Sequence, residues 1–426
     1  MAATPPPAVA VTVAVTGVGL VTPSGTGTAS TWEGVCAGRS TAADAPELAG
    51  LPVPIACRVP DFDPHTHARL RQPWRFDRAT QLLLAAAREA LDSAGLNSAG
   101  HAGADGDNGA WQPERTALVI GSAAGGIGTL EDQHRRLLAT GPDRISPHTL
   151  PAYLPNMAAG HAALELGVKG PALHTSTACA SGASAVITAG LLLAAGHCDI
   201  ALAGGSDAMV TPLCSAAFAK MGALSRRTHD PVRASRPFDR DRDGFVLAEG
   251  SAVLVLEREA DARARQARPL ALLTGHATTT DAHHPVAPDP DGTGLERAVR
   301  AALAQAGAAP DEVDHINAHG TSTPLNDRVE AAVIRRLYGR QPPSVTSAKG
   351  VLGHTMGAAG AVEAALTVLS VAHGAVPPTA NFTAFDDGTD GIDLVTDKPR
   401  HQDIHLALSH SLGFGGHNTV LAFRAA

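Results

Sequence analysis

Apolar positions fall in short runs closed by glycine or proline, and these alternate with longer stretches in which apolar and small residues recur at helical spacing. VTVAVTGVGLVTP reads as a buried strand leaving through a Gly/Pro turn, and residues 79–96, ATQLLLAAAREALDSAGL, read as an amphipathic helix stopped near Gly95. Residues 101–114, HAGADGDNGAWQPE, are polar and predict a flexible surface insertion, after which TALVIGSAAGGIG runs from strand into a glycine-rich turn. Residues 174–208 predict strand, sharp turn, a long helix of small residues, then strand, which puts Cys179 at a strand-to-helix junction. Residues 227–245, RTHDPVRASRPFDRDRDGF, are charged and aperiodic, and predict an ordered surface loop ahead of a strand at 250–257.

From about Pro269 the same logic returns. PLALLTGHATTTDA repeats the strand-then-turn pattern of the N-terminus, followed by a helix around 294–306 and a strand over 315–320. LALSHSLGFGGHNTVLAFR places two apolar runs around a glycine-rich turn, as in a hairpin. Two α/β halves of similar order, without detectable sequence repetition, are expected.

Composition narrows the class. A chain of 426 residues exceeds what one hydrophobic core usually supports, and 44% apolar against 17% charged residues with 44 glycines suits close-packed α/β layers. A net charge of −8 supplies no overall basic field for gripping nucleic acid. The five cysteines, Cys36, Cys57, Cys179, Cys198 and Cys214, form an odd set with no CxxC pair, against a disulfide framework or a zinc site. The apolar start lacks a charged n-region and reads as a strand rather than a signal peptide, and no stretch reads as a bilayer span. The expectation is a soluble cytoplasmic protein that engages neither membrane nor nucleic acid.

Three segments carry chemistry. In TACASG, Cys179 would sit at a helix N-terminus, where the dipole and unpaired N–H groups favour a thiolate, and its small neighbours permit an exposed elbow; a buried core cysteine is the plain alternative. In NAHGTSTPLND, His319 leaves the end of an apolar strand into a loop of small hydroxyl residues, where α/β enzymes gather reacting groups, unless it is a structural histidine. In SAKGVLGHTMGAAGAVEAALTVLS, His354 precedes a small-residue helix in which Glu363 stands nearly alone as a charge. A buried carboxylate needs a partner, and Lys349 is the candidate.

Taken together with ISPHTLPAYLPNMAAGH, RPFDRDRDGFVLAEGSAVLVLE and GFGGHN, in this order from about Val13 to Phe423, these motifs resemble the β-ketoacyl-ACP synthases, elongating condensing enzymes of fatty-acid and type II polyketide synthesis. The resemblance implies a thiolase-like α/β fold of two similar halves in a layered αβαβα arrangement, residues 1–260 carrying the nucleophile and 261–426 both histidines. By position it implies Cys179 as the acylated nucleophile, His319 and His354 as catalytic histidines, and Lys349 with Glu363 as the pair ordering the histidine loop. Thr321 and Thr323 would hydrogen-bond a phosphopantetheine arm. Phe414 would gate the nucleophile, its N–H and that of Cys179 forming the oxyanion hole. The implied reaction is acyl transfer to Cys179 followed by decarboxylative Claisen condensation with malonyl-ACP. No cofactor is expected, since the substrates ride on the acyl carrier protein.

The TACASGASAV and GFGGHN contexts are closer to discrete type II polyketide ketosynthases, implying a heterodimer with a chain-length-factor-like subunit; a housekeeping fatty-acid enzyme, expected as a homodimer, is the alternative. A chain-length partner would lack the nucleophile, and a thiolase would need a second cysteine near the C-terminus, whereas the last here is Cys214. Leu412 and His417 depart from Phe and Thr of many fatty-acid members, and His417 is read as a supporting or structural residue. His283 and His284 are adjacent with no third ligand evident, so no metal is assigned. Arg69, Arg71 and Arg75, with the arginines of 225–240, are candidates for docking an acidic carrier.

Overall fold

The computed structural model describes residues 11–96, 111–339 and 341–426, so most of the expected insertion at 101–114 lies outside the described residues. Eleven strands carry the fold: β1 (Val13–Thr22), β2 (Thr116–Gly121), β3 (Ala172–Thr175), β4 (Ile200–Ala208), β5 (Glu249–Arg258), β6 (Ala271–Thr280), β7 (His315–Asn317), β8 (Ser344–Thr346), β9 (Asp393–Leu394), β10 (Leu406–Gly413) and β11 (His417–Arg424). They lie in one sheet in the order β9-β8-β7-β10-β11-β6-β1-β5-β4-β2-β3.

Divided between β1 and β6, the sheet shows the same wiring twice. In the N-terminal part, β1 runs antiparallel to β5, β5 antiparallel to β4, β4 parallel to β2, and β2 parallel to β3. In the C-terminal part, β6, β11, β10, β7 and β8 repeat those relations in that order, with β9 added at the edge. The parts join by antiparallel pairing of Val13, Ala14 and Val15 with Leu273, Leu272 and Ala271.

Helices fill three layers. Those used below are α1 (Arg78–Ser93), α2 (Met157–Leu166), α3 (Ser181–Ala194), α4 (Pro212–Met221), α5 (Thr293–Ala306), α6 (Pro324–Tyr338), α7 (Lys349–Leu352) and α8 (Ala359–His373). Strand alternation assigns the layers. Ala117, Val119, Ala201, Ala203, Leu254 and Leu256 face the core that holds α3 and α8, whereas Leu118, Ile120, Leu202 and Val253 face α1 and α2. In the C-terminal part, Ala407, Leu421 and Phe423 face α3 and α8, and Leu408, Val420 and Ala422 face α5 and α6. The result is the expected αβαβα arrangement.

Local sequence explains the elements that frame the site. Asp77 caps α1 by accepting the Ala79 N–H at 2.9 Å, and the helix ends just before Gly95, which takes a positive φ of 69°. Leu82, Leu83 and Leu84 are fully buried, each worth about 1.5–3 kcal/mol. The central helices touch through backbone: a Cβ on Gly182 would lie 2.6 Å from the Ala361 nitrogen, and one on Gly360 would lie 2.7 Å from the Ala183 nitrogen.

Three expectations change. The charged 227–245 segment is not a surface loop throughout, because Arg236, Phe238, Asp239 and Arg242 are buried. Its charges are paired inside the fold: Arg242 meets Asp386 at 2.8 Å, Arg236 meets Asp239 at 2.9 Å, and Asp327 accepts the Phe238 N–H at 2.8 Å. The strand expected over 315–320 ends at Asn317, leaving His319 in the loop. Met356–His373 is long and apolar enough to cross a membrane, but 89% of it is buried inside the fold, as suits a central-layer helix.

Candidate active site

Between β3 and α3 the chain makes a tight elbow. Ala178 adopts φ 50°, uncommon for a residue with a side chain, and the turn is locked by Ser181 Oγ, which accepts the Thr177 N–H at 2.9 Å and donates to the Ala178 carbonyl at 2.6 Å. Cys179 therefore sits two residues ahead of the first residue of α3, 8% exposed, in the wall of a cavity of about 610 Å³. Burial pushes its thiol up to about 11, against the opposing pull of the Lys349 charge and of the Phe414 N–H. Against the expectation of a thiolate favoured by the helix end, burial favours the neutral thiol.

Two loops of the C-terminal part bring imidazoles to the sulfur. His319 lies two residues beyond β7, its backbone N–H and that of Gly320 both held by Glu330 of α6 at 2.8 Å. His354 lies between α7 and α8, its N–H donated to the Val246 carbonyl at 2.8 Å and its carbonyl accepting the Ala248 N–H at 3.0 Å. The ligating atoms of Cys179, His319 and His354 lie within 4.8 Å of one another, and the two rings stand edge to face at 5.5 Å between centroids.

Hydrogen bonding assigns the tautomers. The Met356 N–H donates to His354 Nδ1 at 3.2 Å, and Lys349 Nζ, an obligate donor, lies 3.3 Å from His319 Nδ1. Each Nδ1 is thereby an acceptor, and each Nε2 carries the hydrogen. Burial, reinforced by the Lys349 charge, holds both imidazoles well below their ordinary pKa, so both are neutral. The site therefore presents two N–H donors without net charge.

Lys349 also donates to the His319 carbonyl at 2.6 Å and forms a very short contact with Glu363 of α8. The pair is 2% exposed on both sides, and burial raises the Glu363 carboxyl to about 7 against the pull of Lys349. Thr321 and Thr323 line the cavity with their hydroxyls 2.8 Å apart, and Thr323 caps α6.

The hairpin turn between β10 and β11 closes the cavity from above. Gly413 is required there, since a Cβ would lie 2.4 Å from the Thr177 carbonyl oxygen. Phe414 lines the cavity, its ring 6.4 Å from that of Phe218, and its N–H reaches the Cys179 sulfur. The remaining wall is apolar, with Met209, Met221, Met356, Phe245 and Leu412 prominent.

The structure thus brings Cys179, His319, His354, Lys349, Glu363, Thr321, Thr323 and Phe414 to one place. It does not bring Arg69, Arg71 or Arg75 into the cavity: all three are exposed on a separate loop, where Arg69 lies 3.6 Å from Asp92 and Arg75 bonds Gln72 at 3.1 Å. His417 lines a neighbouring hydroxyl-rich pocket rather than the cavity of Cys179. His284 is in the cavity wall, with its Nδ1 taken by the Val286 and Ala287 N–H groups.

Sequence reasoning missed four groups beneath the histidines. Glu330 carries the His319 loop and meets His410 Nδ1 at 3.1 Å, both side chains fully buried. Asp207 and Ser122 bond one another at 2.5 Å on the other side. The available signals were single acids in apolar surroundings, Asp207 in IALAGGSDA and Glu330 in RVEAAVI.

Comparison with known proteins gives a consistent result. A family model described as the N-terminal domain of beta-ketoacyl synthase matches residues 10–262, and one described as its C-terminal domain matches 270–383. A curated relative, 3-oxoacyl-[acyl-carrier-protein] synthase 2 of Synechocystis, is 41% identical over 97% of both chains. Among solved structures, the ishigamide ketosynthase/chain length factor has a TM-score of 0.89 at 34% identity, covering 98% of this chain and 99% of that one. A type II polyketide acyl-carrier protein in complex with its ketosynthase bound to the hexaketide gives 0.87 at 29% identity, covering 98% and 99%.

Proposed function

The chain belongs to the β-ketoacyl synthase family, and from that premise we propose that Cys179, His319 and His354 perform its two half-reactions. In the first, the thioester of an acyl group borne on a carrier protein's phosphopantetheine arm enters past Thr321 and Thr323. The Cys179 sulfur attacks the carbonyl carbon, and the N–H groups of Cys179 and Phe414 take the developing oxyanion. The thiol is neutral at rest, so its proton leaves as the bond forms and ends on the departing pantetheine sulfur. The α3 end and Lys349 favour the transient thiolate.

In the second half-reaction a malonyl thioester occupies the same entrance. Loss of CO₂ leaves an enolate whose oxygen is met by Nε2–H of His319 and of His354. The enolate carbon then attacks the acyl-Cys179 carbonyl, the C–S bond breaks, and the thiolate takes up one proton. The observation that carries this reading is the meeting of one thiol with two neutral imidazoles whose Nδ1 atoms are both occupied. The test is intact-protein mass spectrometry: an acyl-carrier thioester should add one acyl group at Cys179, and malonyl-carrier should then discharge it with release of CO₂. An acyl group found elsewhere, or discharge by water alone, would sink the assignment.

The apolar wall suits a hydrocarbon acyl chain better than a poly-β-ketone, which would bring a carbonyl at every second carbon and few donors to meet it. We place this activity in a type II polyketide system working on reduced chains, with a chain-length-factor-like homologue as partner. Solved relatives titled as ketosynthases with chain length factors support that setting. Fatty-acid elongation is the second reading, favoured by the 41% identical relative. In either setting β3 ends the sheet as an unpaired edge with Leu173 exposed, and Leu164 and Leu191 are exposed on α2 and α3, surface that a homologous chain would cover. Co-purification with the neighbouring gene product, and the length of the product released by the pair, separate the two settings.

A further inference from the structure

Asp207, the penultimate residue of β4, has no exposed surface, yet it bonds none of the groups assigned to the chemistry. Its Oδ1 accepts from Ser122 Oγ at 2.5 Å, and its Oδ2 accepts the N–H of Ala123 at 2.9 Å and of Gly357 at 2.7 Å. Ser122 Oγ in turn takes the Gly125 N–H at 2.8 Å. One buried carboxylate therefore ties the turn that follows β2 to the turn that follows His354.

The second of these turns has little freedom to find its own place. Met356 holds a left-handed φ of 53°, a conformation that persists only where the surroundings enforce it. Gly357 is pressed onto the carboxylate so closely that a Cβ would lie 2.5 Å from Oδ2 and 2.4 Å from the Ala123 nitrogen. The Met356 N–H, one peptide away from the anchored Gly357 N–H, is the group that fixes the His354 tautomer. Releasing Gly357 lets Met356 relax, and His354 Nδ1 then loses the donor that keeps the hydrogen on Nε2.

We propose that Asp207 is a positioning residue for the condensation step, acting through the Gly357 and Met356 backbone to aim the His354 Nε2–H at the enolate oxygen. The inference rests on the function assigned above to His354. It has a directional consequence that a general stabilising role lacks. Asp207 bonds Ser122, Ala123 and Gly357 and neither Cys179 nor Phe414, so its removal should spare the first half-reaction, whereas the second depends on the ring it aims.

The test measures both steps in Asp207→Ala: single-turnover acyl transfer from an acyl-carrier thioester to Cys179, followed by mass, and decarboxylation of malonyl-carrier, followed by CO₂ release. Acyl transfer should stay within about 3-fold of the wild type, while the kcat of decarboxylation falls by about 10², the cost of a reacting group misplaced by about 1 Å, with KM little changed. Asp207→Asn should recover most of the loss, since the amide oxygen can accept both backbone N–H groups while its NH₂ faces Ser122 Oγ. If Asp207→Ala does not fold, Gly357→Ala displaces the same N–H without removing the charge and should give the same split. Equal loss of both steps, wild-type decarboxylation in Asp207→Ala, or no recovery in Asp207→Asn would overturn the proposal. A wild-type enzyme that takes up acyl groups but never decarboxylates malonyl-carrier would instead overturn the functional reading beneath it.

Discussion

The two parts of the sheet share one pattern of strand pairing, yet they contribute unequally to the site. Each has a helix between its third and fourth strands, α3 in one and α8 in the other, and the two pack face to face. The N-terminal part places a thiol ahead of its helix, and the C-terminal part places an imidazole. After the second strand the contrast recurs: β2 leads to Ser122 and Ala123, a small wall, whereas β7 leads to Ala318 and His319. Buried charges occur on both sides, Asp77, Asp207, Arg236, Asp239, Arg242, Glu249 and Glu257 in the N-terminal part and Asp327, Glu330, Lys349 and Glu363 in the C-terminal part, but the two that hold His319, Lys349 and Glu330, belong to the C-terminal side. The lesson is that a repeated scaffold supplies equivalent positions, and chemistry arises when the two copies fill them differently. In the proposed reaction one copy carries the covalent intermediate and the other steadies charge.

The largest test of this division removes the sulfur. Cys179→Ala should end product formation, a loss on the order of 10⁶ or down to the detection limit, with no mass added by the acyl-carrier thioester. Detectable acylation elsewhere in the cavity would erase the asymmetry. Next, His354→Ala should lower condensation by about 10²–10³ while sparing acyl transfer, measured as separate single-turnover steps. If both steps fall alike, the C-terminal part is not confined to charge stabilisation.

A third test addresses stability. Lys349→Met strands Glu363 in the core and should cost about 3–5 kcal/mol of unfolding free energy in denaturant titrations well above neutral pH, where the carboxyl would have to ionise unpaired. The sign with pH follows from Glu363, whose folded value of about 7 lies above its ordinary 4.5. Lys349 lowers that value, so without it Glu363 keeps its proton to higher pH; wild type and variant lose stability alike from about 4.5 to 7, and the deficit of the variant should open as pH rises above about 7 and shrink below it. A deficit independent of pH would show that packing, not the stranded charge, is responsible. The smallest effect is expected at the surface. Arg71→Glu should raise KM for carrier-borne substrate a few-fold and leave a small thioester analogue unchanged, consistent with about 1 kcal/mol for an exposed charge. Equal effects on both substrates would remove Arg71 from any docking role.

The meeting of Cys179, His319 and His354 was legible because each sits in a short segment whose neighbours already betray a turn: TACASG, NAHGTS and GHTMG. Lys349 and Glu363 were legible because a lone acid in an apolar helix demands a partner. What escaped was the support beneath them. Asp207 meets Ser122 across 85 positions and Gly357 across 150, and nothing local marks such partners. Arg242 of the 227–245 segment was misjudged for the same reason, since its compensating acids at 327 and 386 lie far along the chain. The thiol was misjudged because a helix end is visible in sequence, whereas the depth at which the sulfur is buried is not.

The reciprocal contacts of Gly182 with Ala361 and of Gly360 with Ala183 mean that no side chain separates the helix behind the nucleophile from the helix behind the histidine. Main chain against main chain leaves almost no adjustable spacer, so the gap across which bonds are made is inherited with the scaffold. The methionines and phenylalanines that line the cavity belong to other elements, α4 and the approach to β5 among them. Capacity can therefore drift or be redesigned at Met209, Phe218 or Met221 while reactivity is retained, which makes this architecture readily divergent in what it builds.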